Sequence, residues 1–164
     1  MIVASLLVAF ADFSELKRLT QGHASVIEET RTSRVVRSMR IGNADDQKVV
    51  FLQETKTTPK SDPKAADYIT ERLEEYLAGK WSDLDRCALD ARTKRFVLFF
   101  KTGSLECDSQ KTTKRGSEAE VKSPRTVTRR SDVILRFRSE ANMNEWKAEF
   151  ASQIRTIRPD LVVP

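Results

Sequence analysis

The chain has 164 residues, of which 39% are hydrophobic and 32% are charged, a composition typical of one globular domain rather than of a disordered or fibrous protein. The formal net charge of +5 favours acidic partners, such as anionic lipid headgroups, nucleic acid or acidic proteins. A single histidine excludes a multi-histidine metal site, and two cysteines without a CxxC motif exclude a cysteine-based zinc cluster.

The cysteines and the first apolar run predict the cellular compartment of the protein. Cys87 and Cys107 make no disulfide framework, which indicates a reduced, intracellular chain and leaves open whether the two pair. The apolar run 2–11 is shorter than the roughly 20 residues that a membrane span needs, and no basic residues precede it as they do in a signal peptide. We therefore expect a cytoplasmic protein without a transmembrane or targeting segment.

The first predicted element is an amphipathic helix over 3–21, because apolar residues recur there at steps of three and four. One interpretation is that it packs on the domain or continues from a neighbouring domain of a longer protein. The other is that it docks a partner helix or a membrane surface. The candidate partner-binding residues on its apolar stripe are Leu6, Phe10 and Phe13.

From Arg34 onwards the pattern changes to β structure. Apolar and β-branched residues on both sides of the turn-forming segment 42–46 predict a hairpin. Asp62 followed by Pro63 is a helix-start signal, and apolar residues on one face then predict an inserted helix over about 63–79.

A second β region follows the predicted inserted helix. The apolar run 96–100 predicts a fully buried strand, with shorter strands before it at Cys87 and after it at Leu105. The segment 109–130 is polar, with seven basic residues against two acidic ones. Apart from one short strand near 125–129, we expect this segment to be a mobile basic loop.

The last stretch, 132–157, predicts a strand and then a helix. Val133, Leu135 and Phe137 alternate with more polar neighbours, and Ser139 offers a hydroxyl that can cap a helix. Five apolar residues then share one helical stripe. They are Met143, Trp146, Phe150, Ile154 and Ile157.

This strand, the serine-containing turn and the closing helix with a central tryptophan resemble the C-terminal end of a pleckstrin-homology (PH) domain. In that family the helix covers one open end of a small, bent β-sandwich, and the tryptophan packs into the core. The resemblance implies an α+β fold: a PH-like seven-stranded antiparallel β-sandwich or barrel capped by the C-terminal helix. Met143, Trp146 and Phe150 would be structural core residues, although a tryptophan on an apolar stripe also suits any α+β domain.

The resemblance also implies a division of the chain. Residues 1–31 would be an N-terminal helical extension, and residues 32–164 a PH-like domain with a helix insertion at 62–79 and a basic loop at 109–130. A second register is open, because 94–108 is similar to the second and third PH strands. That register leaves too few residues before the closing strand, so the hairpin starting at Arg34 is the preferred match.

Catalytic motifs are missing, since the sequence contains no GxGxxG, GxxxxGK[ST], HExxH or GxSxG pattern. We therefore expect no enzyme, no cofactor, no metal and no small-molecule substrate.

Phosphoinositide-binding PH domains gather basic residues around the first hairpin loop, and the preferred loop 42–46 carries aspartates instead. In the second register three basic residues flank the loop, and three more lie in the basic segment. These lipid-binding candidates are Arg92, Lys94, Arg95, Lys111, Lys114 and Arg115.

The sequence thus predicts a non-catalytic interaction module that binds a protein partner within a larger scaffold, signalling, trafficking or cytoskeletal protein. Its candidate surfaces are the strand edge beside the closing helix and the N-terminal helix. The alternative is peripheral membrane recruitment through weak binding of anionic lipid or phosphoinositide by basic loops. Nucleic acid is not an expected partner, because no aromatic residue for base stacking lies between Phe100 and Phe137.

Overall fold

Long antiparallel strands and two helices make an α+β fold in the computed structural model, which describes residues 11–65 and 68–164. A short 3₁₀ turn lies at Trp81–Asp83. The elements in chain order are α1 (Ser14–His23), β1 (Ser25–Glu29), β2 (Ser33–Ala44), β3 (Lys48–Pro59), β4 (Ile69–Lys80), β5 (Leu84–Asp90), β6 (Arg95–Phe100), β7 (Leu105–Arg115), β8 (Val121–Lys122), β9 (Thr126–Arg130), β10 (Asp132–Arg136) and α2 (Glu140–Ile157).

The strands form two antiparallel sheets. The large sheet has the order β1-β2-β3-β4-β7, and both β8 and β9 pair with β7 beyond it. The small sheet has the order β10-β6-β5. The described residues thus contain ten strands in sheets of seven and three, whereas the sequence predicted seven strands in all.

The predicted hairpin after Arg34 is present as β2 and β3. The carboxylate of Asp45 accepts hydrogen bonds from the backbone N–H groups of Gln47 (2.8 Å) and Lys48 (2.7 Å), which fixes the turn. These two N–H donors lower the pKa of Asp45.

The inserted helix predicted at 63–79 is wrong, because this stretch contains strand β4. It pairs with β3 on one side and with β7 on the other, and both pairings extend over most of its length. The helix-start signal at Asp62 has a different use: its carboxylate accepts the N–H of Lys64 at 2.9 Å in a local turn. Two ladders of hydrogen bonds outweigh a local helical pattern, since tertiary pairing routinely overrides propensity.

The mobile basic loop predicted at 109–130 is also corrected. The second half of β7 and the strands β8 and β9 occupy much of this segment. Its side chains are polar because this part of the sheet is only partly covered by the core. A polar strand of this kind lacks the alternating apolar residues by which strands are recognised in sequence.

The N-terminal helix is displaced from its predicted position. The prediction covered 3–21, whereas the described helix α1 runs over Ser14–His23, so Gly22 lies inside it rather than ending it. The first ten residues, with candidates Leu6 and Phe10, lie outside the described part of the chain. Phe13 is only 3% exposed and stacks on Trp81 with ring centroids 5.3 Å apart. That burial removes Phe13 from the surface that partner docking would need.

One hydrophobic core joins both sheets and both helices. The predicted core residues Met143, Trp146 and Phe150 are fully buried in it, and Trp146 stacks on Phe150 at 5.0 Å. The residues on α1 that contact the same core lie within the predicted 1–31 extension, and the proposed division of the chain at residue 31 stays a prediction. The Ser139 hydroxyl caps α2 by accepting the N–H of Asn142 at 3.1 Å, as the sequence predicted.

Candidate binding site

A cleft of about 580 Å³ separates the edge strand β1 from the β5–β6 turn and from the end of β10. It is the largest of the described cavities. Basic side chains dominate its walls, and Glu28 on β1 is the single acidic residue lining it in the described structure. We call it the basic cleft; its basic residues are Arg92, Lys94, Arg95, Arg136 and Arg138.

The β5–β6 turn, which carries Arg92 and Lys94, is held in place by hydrogen bonds of its own. The Asp90 carboxylate accepts hydrogen bonds from the hydroxyl (2.5 Å) and the backbone N–H (3.1 Å) of Thr93, and both lower the pKa of Asp90. Lys94 has φ of +52°, in the left-handed region that non-glycine residues rarely adopt. Such backbone strain is typical of functional sites.

Arg136 and Arg95 lie directly opposite each other across β10 and β6. Like charges at that spacing repel, so this pair costs stability unless a counter-ion is present. The Nε of Arg136 is buried and has no hydrogen-bond partner within the described residues. Burial lowers the pKa of Arg136, the Arg95 and Arg37 cations lower it further, and Glu28 opposes them.

Hydrogen bonds between distant segments fix the walls of the basic cleft. Arg138 donates from Nε to the Ser25 carbonyl at 3.0 Å, which ties the end of β10 to β1. Phe137 donates its backbone N–H to the Lys94 carbonyl at 3.0 Å, which ties it to the β5–β6 turn. These hydrogen bonds hold the walls of the cleft in place, so binding would require little reordering of them.

Strand β1 leaves one edge of the large sheet open to this cleft. Ala24 and Thr30, at either end of β1, exchange backbone hydrogen bonds with the β2 side. Bonding alternates along an antiparallel pair, so the backbone groups of Ile27 and Glu29 point away from β2. The Ile27 side chain is 49% exposed on the same strand. An extended peptide would find both backbone partners and an apolar contact there.

The structure brings together half of the predicted lipid-binding residues. Arg92, Lys94 and Arg95 line the basic cleft. The other three lie on β7, and β2, β3 and β4 separate that strand from β1 in the sheet. They are Lys111, which forms an ion pair with Glu71 at 2.6 Å, and the exposed residues Lys114 and Arg115.

Sequence reasoning missed two cleft arginines and strand β1. Arg136 and Arg138 flank the core residue Phe137, so strand alternation alone could have placed them on one outward face. What no local pattern shows is that Arg136 stands opposite Arg95, 41 positions earlier in the chain. Val26 and Ile27 are β-branched, which is the one signal for the short strand β1.

The two cysteine thiols are not activated as nucleophiles. Cys87 and Cys107 are free thiols, and burial raises the pKa of Cys87 to about 12. Burial, and then the Glu75 carboxylate, raise the pKa of Cys107 as well. Both thiols are therefore protonated at neutral pH, and a protonated thiol is a poor nucleophile. His23 forms a 2.8 Å contact through Nε2 with Glu145 on α2.

In comparisons with known proteins, no protein-family model, curated protein or solved structure matches the chain. Within residues 11–65 and 68–164, neither helix has the length and apolar character needed to cross a bilayer. The same residues contain no group of three or more histidine, cysteine or acidic side chains arranged to hold a metal ion.

Proposed function

We propose that the chain is a non-catalytic, PH-like interaction module that binds an acidic segment of a protein partner in the basic cleft. The observation that carries this proposal is Arg136, a part-buried arginine opposite Arg95 whose Nε has no hydrogen-bond partner among the described residues. A carboxylate from a partner would supply the missing acceptor and relieve the repulsion between the two arginines. The PH-like class is supported by α2, which closes the core with Trp146 fully buried.

Strand addition is the binding mode that the free edge of β1 favours. An extended segment would pair its backbone with Ile27 and Glu29, while every second side chain faced the basic cleft. Glu29 itself forms an ion pair with Lys60 at 2.7 Å, which reduces its repulsion of an acidic partner. The module would work in the cytoplasm, within a larger scaffold or signalling assembly.

A peptide of alternating glutamate and valine tests this proposal by fluorescence anisotropy at several salt concentrations. We expect binding that weakens steeply with salt, and Arg136→Gln should weaken it about tenfold or more because a carboxylate loses its charged partner. Arg155→Gln is the charge-matched control, since Arg155 is exposed on α2 outside the cleft. Failure of the peptide to bind at low salt, or equal effects of both substitutions, would contradict the proposal.

Recruitment to an anionic membrane through the same basic residues is the second candidate, and Ile27→Pro separates it from peptide binding. Proline removes the free-edge N–H that strand addition needs but keeps every charge of the cleft. Peptide binding should therefore be lost in Ile27→Pro, whereas binding to phosphatidylserine vesicles would survive. Vesicle co-sedimentation that persists in this variant, with no peptide binding to the wild type, would favour the membrane.

A further inference from the structure

A second groove, of about 340 Å³, lies on the large sheet and is lined by residues of β3, β4 and β7. Lys56, Arg72 and Thr112 form one row across β3, β4 and β7, because they are paired in register. Lys114 follows Thr112 on the same face, two residues along β7. We call this the threonine groove; its remaining lining residues are Thr58, Tyr68, Thr70, Glu71, Gly116 and Glu120.

The charges of the threonine groove are incompletely balanced. Lys56 and Arg72 stand directly opposite each other, and like charges in that position repel. Arg72 has one distant acidic contact, to Glu74 at 3.9 Å, and within the described residues Lys56 and Lys114 have no ion pair.

The two acidic residues of the groove do not neutralise its cations. Glu71 is held by Lys111 at 2.6 Å and belongs to the opposite face of β4. Glu120 lies in the connection between β7 and β8, at the rim of the groove. The three cations Lys56, Arg72 and Lys114 therefore leave the threonine groove with an excess of positive charge.

Thr112 is the independent sign of a ligand. It is only 4% exposed, and its hydroxyl has no hydrogen-bond partner within the described residues. A buried hydroxyl without a partner is costly, so a position of this kind calls for an explanation such as an absent ion. Its neighbours across the strands, Arg72 and Lys122, are both cations.

We propose that the threonine groove binds a phosphate group. Phosphate carries two negative charges near neutral pH and several acceptor oxygens, which matches three cations from three strands and one hydroxyl donor. The Arg72 guanidinium can bind two oxygens at once, Lys56 and Lys114 supply charge from either side, and the Thr112 hydroxyl donates to a third oxygen. A carboxylate carries one charge and two oxygens, so it offers less charge and fewer acceptor atoms to these four groups than phosphate does.

Titration of the isotope-labelled chain with inorganic phosphate, followed by NMR at constant ionic strength against chloride, tests this site. We expect saturable shifts of the Thr70, Arg72 and Thr112 amides. Thr112→Val keeps the side-chain shape and should weaken phosphate binding about tenfold, because a hydrogen bond to an anion is lost. Thr113→Val is the matched control, one residue along on the other face, and should retain the wild-type affinity.

The fold of the variant is checked in the same samples. Thr112→Val should melt no lower than the wild type without phosphate, since the hydroxyl it removes has no partner among the described residues. Lys114→Gln, at an exposed position, is a second variant that should also weaken binding. The absence of saturable shifts in the wild type, or an unchanged affinity in Thr112→Val, would overturn the proposal.

A comparison of ligands distinguishes the sources of phosphate. Inorganic phosphate that binds as tightly as phosphatidic acid vesicles would indicate a soluble ligand, whereas binding to vesicles alone that is lost in Thr112→Val would indicate a lipid headgroup. Arg136→Gln should leave the affinity for inorganic phosphate unchanged, because Arg136 lies in the basic cleft and not in the threonine groove. The two proposals therefore fail independently.

Discussion

At the scale of single residues, Trp146 connects the two helices. Its Nε1 donates a 2.7 Å hydrogen bond to the hydroxyl of Thr20, which in turn donates to the Leu16 carbonyl at 2.6 Å. Both Trp146 and Thr20 are fully buried, so each polar atom in this chain of hydrogen bonds has exchanged water for a protein partner. The same indole ring contacts Phe96 of the small sheet at 5.2 Å.

Trp146→Ala should lower the free energy of unfolding by about 3–5 kcal/mol, because it leaves a cavity in the core and an unpaired acceptor. Trp146→Phe keeps most of the ring and should cost about 1–2 kcal/mol for the lost hydrogen bond. Urea denaturation measures both values. A loss below about 1 kcal/mol for the alanine variant would contradict the burial of this side chain.

Two turn aspartates should titrate at unusually low pH. Backbone N–H donors in the β2–β3 turn lower the pKa of Asp45, and the Thr93 hydroxyl and N–H lower that of Asp90. A carboxyl group with a lowered folded-state pKa stabilises the fold above its unfolded pKa of about 3.9, and this contribution disappears as the pH falls through the folded value.

Carboxyl-carbon NMR titration should give midpoints below about 3.9 for both aspartates, with the turns loosening on further acidification. Midpoints at or above that of an unstructured aspartate would show that the turn hydrogen bonds are absent in solution.

At the scale of elements, the two edges of β1 differ in their backbone hydrogen bonding: one edge pairs with β2, and the other faces the basic cleft. Its Val26 and Glu28 backbone groups belong to the ladder with β2, and those of Ile27 face the basic cleft. Such an open edge invites pairing with another chain, which natural proteins use for recognition or protect with charge. The arginines around β1 provide that charge and also select for acidic segments.

A proline scan of β1 should distinguish its two edges. Ile27→Pro should change the free energy of unfolding by less than about 1 kcal/mol, because the N–H it removes has no partner in β2. Val26→Pro removes a ladder hydrogen bond to Arg37 and should cost about 3 kcal/mol. Equal losses in chemical denaturation would mean that β1 pairs on both edges or in another register.

The elements differ in how far their sequences predict them. Helix α2 was predicted at its described bounds because its cap at Ser139, its apolar stripe and the stop before Pro159 are all local signals. The sequence predicts a helix where strand β4 lies, because the spacing of Ile69, Leu73 and Leu77 places them on one face of either a helix or a strand. Only pairing with β3 and β7 decides between the two, and pairing partners are not visible in a single segment.

At the scale of the whole molecule, two separate sites are lined by several basic side chains. The basic cleft lies at the β1 edge, and the threonine groove lies on β3, β4 and β7. The sequence indicated Arg92, Lys94 and Arg95 as lipid-binding candidates because they flank the loop in the second PH register, and all three line the cleft. It could not predict the cleft itself, since the opposing Arg136 and the strand β1 come from the two ends of the described chain.

Amide hydrogen exchange reports directly on whether an acidic segment adds to the free edge of β1. In the presence of the alternating glutamate–valine peptide, exchange at Ile27 and Glu29 should slow, while exchange at Val26 and Glu28, which already bond to β2, should stay the same. Arg136→Gln should remove this protection. Peptide binding without slower exchange at Ile27 and Glu29 would contradict strand addition at β1.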